Sequence, residues 1–211
     1  CHRMEELVTV EIDAVRQENI TRILDAAERL FRHYGYTKTT VADIARDLGM
    51  SPANVYRFFA SKVEIHQAIC NRMLAISYGI ARANAVLPLS ASDRLRRYTL
   101  DQYKMCIDTM MDHEKVHEMV IVAIERDWHV IEKHIDRMNA VVAEIIADGI
   151  AAGEFPEQDV KVAAMCFGAS TLALCHPQMV AQCVAKPNRA QPEDLVEFAI
   201  RALKAQASVT G

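Results

Sequence analysis

Glycine, proline and aromatic residues are scarce in this chain of 211 residues. It contains 7 Gly and 6 Pro, and Phe, Trp and Tyr together make up 6% of it. Collagen-like and low-complexity proteins are excluded, because both need far more glycine or proline. The longest strongly apolar uncharged run covers residues 162–175 and contains Ser170 and Thr171, whereas a membrane helix needs ~18 apolar residues. We therefore expect a globular protein with no membrane span.

An export signal is also missing from the first residues, which mix charged and apolar side chains and contain no long apolar stretch. The expected location is the cytoplasm. The 6 cysteines are then expected to be reduced thiols that fill small core positions rather than a disulfide framework.

Apolar residues at spacings of three and four are abundant, and this pattern predicts an all-α fold of about nine helices. The first apolar stripe runs from Ile20 to Tyr34 and stops at Gly35. Later stripes predict helices on both sides of the break at Pro88, a long helix that ends near Gly153, and two further helices near the end of the chain. The second-to-last stripe consists of Val162, Met165, Ala169, Leu172, Ala173 and His176.

Three helix starts follow one another closely after Gly35. Thr40 is a good N-cap for a short helix with an apolar face, and Ser51 with Pro52 begins another one just after Gly49 and Met50. Residues 61–64 form a capping box that begins a fourth helix. Two short helices separated by so tight a turn have the spacing of a helix-turn-helix, in which the second helix enters the DNA major groove.

The charge is distributed unevenly in the direction that DNA binding requires. Residues 16–62 contain eight basic and five acidic side chains, a local excess of three positive charges in a chain whose net charge is −4. A locally basic module on an acidic body suits a protein that neutralises phosphates with one part only.

Four segments of this region resemble the N-terminal signature of the tetracycline-repressor (TetR) family of bacterial transcription regulators. They are ILDAAERLF (23–31), GYTKTTVADIA (35–45), GMS (49–51) and VYRFFASK (55–62). The resemblance implies a homodimer with a DNA-binding domain of three helices, here residues 16–62. It also implies a larger helical domain, here residues 63–211, that binds a small ligand and dimerises.

The resemblance and the chemistry of the side chains together predict the DNA-binding residues. Thr40 and Lys62 correspond to positions of the family that contact phosphate, and the recognition helix would run from Ser51 to Phe58. Asn can pair with adenine, Arg with guanine, and the Tyr hydroxyl suits a phosphate. The predicted DNA-binding set is Thr39, Thr40, Ser51, Pro52, Ala53, Asn54, Tyr56, Arg57 and Lys62.

Small residues in the C-terminal part favour close helix packing. Ala163, Ala164, Gly168, Ala169, Ser170 and Ala173 would let two subunits pair. We expect a homodimer through the last two predicted helices, as a four-helix bundle.

Several histidines lie on apolar helix faces, where a polar ring needs a partner. They could converge on a ligand cavity lined by flexible methionines, or each could simply bond to a backbone carbonyl within the core. Pro177 would kink the helix that carries His176. The predicted ligand-binding set is Met105, Met110, His117, Trp128, His134, Met138, Phe167 and His176.

Two metal hypotheses stand beside this one. Residues 113–117 fit H-E-x-x-H, the helical signature of zinc peptidases with Glu114 as the base, although no third ligand motif follows. A non-catalytic metal site would instead use His113 or His117 together with His134 and His176. No catalytic residues and no cofactor are assigned. The sequence therefore predicts a cytoplasmic, dimeric repressor that leaves double-stranded operator DNA when a small, largely apolar effector binds, with a metal-responsive regulator and a metallohydrolase as alternatives.

Overall fold

The computed structural model describes residues 2–110, 114–126, 128–184 and 186–205. Every regular element in these ranges is a helix, which confirms the predicted all-α class. The helices are α1 (His2–Tyr34), α2 (Val41–Asp47), α3 (Pro52–Tyr56), α4 (Lys62–Ala85), α5 (Ala91–Met110), α6 (Glu114–Arg126), α7 (Trp128–Ala151), α8 (Val160–Ser170), α9 (Leu172–Cys175), α10 (Pro177–Val184) and α11 (Pro192–Lys204). None of these described helices is long and apolar enough to cross a membrane.

The chain divides into two compact units. The first consists of residues 1–72 together with 113–125, and the second of residues 73–112 together with 126–211. The helix α6 therefore belongs to the unit that carries α1, α2 and α3, although α5 and α7 on either side of it in the chain belong to the second unit. The predicted domain limits, 16–62 and 63–211, stay a prediction, since they were drawn from the motif rather than from compactness.

The first unit is built around the apolar faces of its short helices. Phe31 of α1, Ile44 of α2 and Val55 of α3 are fully buried. Short helices are not stable alone, and each of these helices gains stability by burying its apolar face against the other two. Gly35 ends α1 with a φ of +93°, in the left-handed region that glycine tolerates best.

The second unit has a larger core, in which side chains of α5, α7, α8 and α11 meet. Leu95, Ile145, Phe167 and Ile200 are among its buried members. Glu154 lies beyond the end of α7 and accepts hydrogen bonds from the backbone N–H groups of Ala91 and Ser92, at 2.7 and 2.9 Å. A residue distant in sequence thus supplies acceptors for the first two N–H groups of α5, while the Ser90 hydroxyl accepts the N–H of Asp93.

The segment predicted as a single helix around His176 is three helices in the structure, so the described residues hold eleven helices rather than about nine. The chain is extended at His176, with φ −90° and ψ 121°, because a residue before proline is forced away from the helical region. The kink expected from Pro177 is therefore a complete break.

The large apolar residues of the stripe that predicted this segment do not meet the core. Val162 and Met165 on α8 and Leu172 on α9 are each about half exposed or more. The buried face of α8 carries Ala163, Ala164 and Phe167 instead. Since α8 is apolar on both sides, periodicity alone could not tell which side meets the core.

Candidate nucleic-acid interface

Both short helices begin at the N-cap residues that the sequence predicted, Thr40 for α2 and Ser51 for α3. Thr40 and Asp43 form a complete capping box, in which the Thr40 N–H donates to Asp43 Oδ2 at 2.9 Å and the Asp43 N–H donates to Thr40 Oγ1 at 3.2 Å. Ser51 Oγ accepts from the Asn54 N–H at 3.2 Å and caps α3. Gly49 has a φ of +65°, which lets the chain reverse between the two helices.

The outer side of α3 is covered by polar and small side chains. Ser51, Pro52, Ala53, Tyr56 and Arg57 are exposed and Asn54 is half-buried, while Val55 points into the core. The helix itself covers Pro52–Tyr56, and Arg57 is its C-cap rather than part of a helix that reaches Phe58. Every predicted recognition residue except Asn54 is thus open to a partner.

Several basic side chains of this unit form ion pairs with carboxylates that the structure describes, and others do not. Arg29 pairs with Asp47, Arg46 with Asp43, and Arg72 with both Asp25 and Glu28. The pairing with Asp47 raises the pKa of Arg29 through a side-chain hydrogen bond and its charge. A second group has no carboxylate partner among the described residues. It consists of Arg16, Arg22, Lys38 and Arg57.

Two members of the predicted DNA-binding set are engaged inside the protein. The Thr39 side chain is 1% exposed and its hydroxyl donates to the Gly35 carbonyl at 2.8 Å, so we remove it from the set of DNA contacts. Lys62 Nζ donates to the carbonyls of Tyr36 and Thr39 at 2.8 and 3.0 Å. Lys38 and Thr40, on either side of Thr39, are exposed, as alternation along an extended segment requires.

Arg16, near the start of the described side chains, lies beside the end of the recognition helix. Its guanidinium carbon is 5.6 Å from the centroid of the Phe58 ring, a cation–π contact. No local signal in the sequence predicts this contact, because it joins residues that are 42 positions apart and depends on how α1 packs.

Comparison with known proteins gives matches over both units. The model of the bacterial regulatory proteins of the tetR family matches residues 23–69. The model of the tetracyclin repressor-like C-terminal domain matches residues 91–196, half of the chain. The chain belongs to the TetR family. Regulators of the TetR family bind operator DNA and act as dimers, and the chain is accordingly a DNA-binding transcription regulator.

Individual TetR-family relatives agree with this assignment. The HTH-type transcriptional regulator TtgR of Pseudomonas putida is 28% identical over 158 residues, which cover 70% of this chain and 75% of that protein. A TetR/AcrR-family regulator from Thermobifida fusca has the same fold, with a TM-score of 0.64, 22% identity and coverage of 88% and 96% of the two chains. PfmR from Thermus thermophilus gives a TM-score of 0.60 and 24% identity, over 87% and 97%.

In the second unit of this TetR-family chain, His134 is part of a polar network. The Ser77 hydroxyl donates to Gln102 Oε1 at 2.9 Å, and Gln102 Nε2 donates to the Ser77 carbonyl at 2.7 Å. His134 Nε2 lies 3.5 Å from Ser77 Oγ. Burial and the nearby charge of Arg137 lower the pKa of His134, so its ring is neutral at pH 7.

Two ring nitrogens in this unit are buried and have no hydrogen-bond partner within the described ranges. They are Nδ1 of His134 and Nδ1 of His176. Burial lowers the pKa of His176 as well. Of the predicted apolar lining, Phe167 is buried, and Met105 and Met138 are half-buried in the same unit. His113 and the side chains of Met110, His117 and Trp128 lie outside the described residues.

The metal hypotheses rest largely on side chains that are not described. Within the described ranges, no three His, Cys, Asp or Glu side chains lie together as a metal site would require. His134 and His176 therefore have no described third ligand, and the set that includes His113 and His117 stays a prediction.

One residue close to the candidate interface was not predicted at all. Glu118 on α6 contacts the loop between α1 and α2, where Thr37 donates to its carboxylate. No local pattern marks a carboxylate that acts on a loop 81 positions away. The apolar pattern near Lys115 did not even show where α6 would divide from α7.

Proposed function

We propose that the chain is a repressor that binds operator DNA as a dimer and releases it when a small, largely apolar effector occupies the second unit. The observation that carries the proposal is the capped pair α2 and α3, whose outer side presents Tyr56 and Arg57, in a chain of the TetR family. Because a bacterial operator lies in the cytoplasm, the proposed location of the protein is the cytoplasm.

The exposed side chains of α3 support a division of roles in the major groove. Arg57 has no carboxylate partner among the described residues, so its guanidinium is available for the O6 and N7 acceptors of a guanine. Asn54 suits adenine, and the Tyr56 hydroxyl suits a phosphate oxygen. Ser51, Pro52 and Ala53 would lie closest to the groove floor and walls, where their small size permits close approach.

Phosphate contacts would come from the segment before α2. Lys38 and Thr40 are exposed just before α2, and the Lys38 ammonium group has no carboxylate partner among the described residues. Lys62, which is bonded to two loop carbonyls, would support this segment rather than reach the DNA itself.

A second copy of the chain is the proposed partner of the exposed apolar side of α8 and α11. Val162, Met165, Cys166 and Ala169 are exposed at spacings of three and four, and thus share one face of α8. Phe198 on α11, a helix that packs against α8, is 66% exposed. Large apolar side chains left in water on neighbouring helices favour burial against another subunit, and a twofold dimer would pair the same surface with itself.

The effector region would lie around the neutral rings of His134 and His176. A mostly apolar compound could pack on Met105, Met138 and Phe167 and offer hydrogen bonds to the partnerless ring nitrogens. Such a compound releases DNA only to the extent that it binds the form with low DNA affinity more tightly.

The experiment that tests the DNA-binding proposal selects duplexes from a random-sequence pool with the purified full chain. We expect enrichment of a sequence with two inverted half-sites whose centres lie about one helical turn or a multiple apart. Failure to enrich any sequence, over a range of salt concentrations, would contradict the proposal. Screening apolar compounds for release of the selected duplex then tests the effector.

A further inference from the structure

The loop between α1 and α2, residues 35–40, donates hydrogen bonds to the carboxylate of Glu118. The Thr37 N–H donates to Glu118 Oε1 at 3.0 Å, and the Thr37 hydroxyl donates to the same oxygen. The Thr37 hydroxyl, together with the N–H groups of Thr37 and Tyr36 and the charge of Lys62, lowers the pKa of Glu118. The carboxylate is therefore ionised at neutral pH and accepts bonds from consecutive residues of the loop.

Backbone carbonyl groups of the same loop accept hydrogen bonds from the ammonium group of Lys62. Lys62 Nζ donates to the carbonyls of Tyr36 and Thr39 and lies 4.3 Å from the centroid of the Tyr36 ring. The inward hydroxyl of Thr39 closes the loop on the Gly35 carbonyl. Glu118 and Lys62 thus restrain opposite hydrogen-bonding groups of one short segment.

The residue after Glu118 gives α6 a second attachment to this unit. His66 Nε2 on α4 lies 3.1 Å from the Met119 carbonyl oxygen, and the His66 side chain is 1% exposed. The centroid of the His66 ring is 4.8 Å from that of Tyr36. Two consecutive residues of α6 therefore fix its position next to the loop, so that the Glu118 carboxylate is held in place rather than free to rotate away.

We propose that Glu118 is a positioning residue for DNA binding, which holds the loop of residues 35–40 so that Lys38 and Thr40 meet the phosphate backbone. The proposal rests on the DNA-binding function proposed above. Lys38 and Thr40 directly follow the residue that Glu118 bonds, so movement of Thr37 would displace both of them. Charge-assisted hydrogen bonds are stronger than neutral ones, which suits a contact that must restrain a loop.

The test measures affinity for a selected operator duplex and for an unrelated duplex, each over a series of salt concentrations. The variants are Glu118→Ala, Thr37→Val and the double variant, with Glu118→Gln as the conservative change. The matched control is Glu125→Ala, an exposed residue on the same helix. Circular dichroism and thermal unfolding check that each variant is folded.

We expect Glu118→Ala to weaken binding to both duplexes by about tenfold, the size expected for loss of a hydrogen bond to a charged group. The slope of log affinity against log salt should become shallower by about one unit, because a phosphate contact is lost. Thr37→Val should act in the same direction, and the double variant should be no weaker than Glu118→Ala because both changes break one contact. Glu118→Gln should lie between the wild type and Glu118→Ala, and Glu125→Ala should match the wild type.

Wild-type affinity and slope in both Glu118→Ala and Thr37→Val would overturn the proposal. So would tighter binding in Glu118→Ala, which would mean that the carboxylate repels the DNA. Should Glu118→Ala fail to fold, Thr37→Val and Glu118→Gln decide by the same criteria. A wild-type chain that binds neither duplex would overturn the DNA-binding function itself, whereas a binding wild type with unaffected variants would overturn only the role of Glu118.

Discussion

The two units of the molecule leave opposite kinds of side chain without a partner. In the first unit, Arg57 and Lys38 are exposed and form no ion pair with a carboxylate among the described residues. In the second, Met165 and Phe198 are mostly exposed, whereas the Nδ1 atoms of His134 and His176 are buried. An unpaired surface cation suits a phosphate or a base, an exposed apolar side chain suits another protein surface, and a buried unpaired nitrogen suits a small ligand.

Carboxylates that act over long sequence distances occur in both units. Glu118 bonds the loop of residues 35–40 and Glu154 bonds the N-terminus of α5. Both accept backbone N–H groups, yet only the first adjoins the candidate DNA surface. The same chemical contact therefore positions a binding loop in one unit and stabilises a core helix in the other.

The largest effect is expected where the apolar surface of the second unit is made charged. Phe198→Asp should convert a dimer into monomers, since a carboxylate cannot be buried unpaired in an interface. Operator affinity should fall about 100-fold or more with loss of a central apolar contact. Sedimentation velocity and operator titration measure both quantities. Val86→Asp, at a similarly exposed apolar position that belongs to neither α8 nor α11, is the control and should stay dimeric. A dimeric Phe198→Asp with normal affinity would contradict the interface.

A smaller effect is expected in the first unit, where a partnerless cation can be compared with a paired one. Arg57→Ala should weaken operator binding by about 1–3 kcal/mol and relax the preference at one base pair of each half-site. Arg46→Ala removes an exposed arginine that already pairs with Asp43, so affinity should change little. Titration of operators with single base changes measures both. Equal losses for the two variants would show that the pairing of a cation is irrelevant to its role.

The smallest effect is expected at Glu154, where stability rather than DNA binding should respond. Burial opposes ionisation of this group, but its bonds to Ser92 and Ala91 and the charge of Lys204 outweigh burial, so its pKa is lowered. Glu154→Gln should lower the free energy of unfolding by about 1 kcal/mol, as for loss of a helix cap. Operator affinity should remain that of the wild type.

The stabilisation from Glu154 should also depend on pH in a defined direction. A carboxyl group whose pKa is lower in the folded state stabilises the fold above its unfolded pKa, and this contribution disappears as the pH falls through the folded value. Denaturant titrations at neutral and acidic pH measure it, with the exposed Glu157→Gln as control. A difference between wild type and Glu154→Gln that grows as the pH falls would contradict the assignment.

Local signals in the sequence were sufficient for most of the fold. The caps at Thr40, Ser51 and Ser61 and the glycine ends at Gly35 and Gly153 each depend on residues within a few positions, and the structure confirms each as a helix boundary. The interruption at His176 was recognised as a kink because a proline acts on its immediate neighbours. The division at Thr171 was missed, since nothing nearby in the sequence marks it.

Long-range features were much less accessible. The face of α8 that meets the core could not be chosen, because both faces are apolar and the choice depends on α7 and α11. The inward side chain of Thr39 and the attachment of Glu118 depend on packing between segments far apart in the chain. The candidate DNA contacts on α3 came from a family signature rather than from physical derivation, and their base preferences stay a prediction.

Gly35 also matters for Glu118, which lies far from it in the chain. A side chain there would meet Glu118 Oε2 at 2.9 Å from its Cβ, in addition to the strain of a left-handed backbone. A compensating mutation at position 118 could relieve the collision but not the strain. A side chain at residue 35 is therefore opposed both by the backbone conformation and by the Glu118 carboxylate, and a shorter side chain at position 118 would remove only the second obstacle.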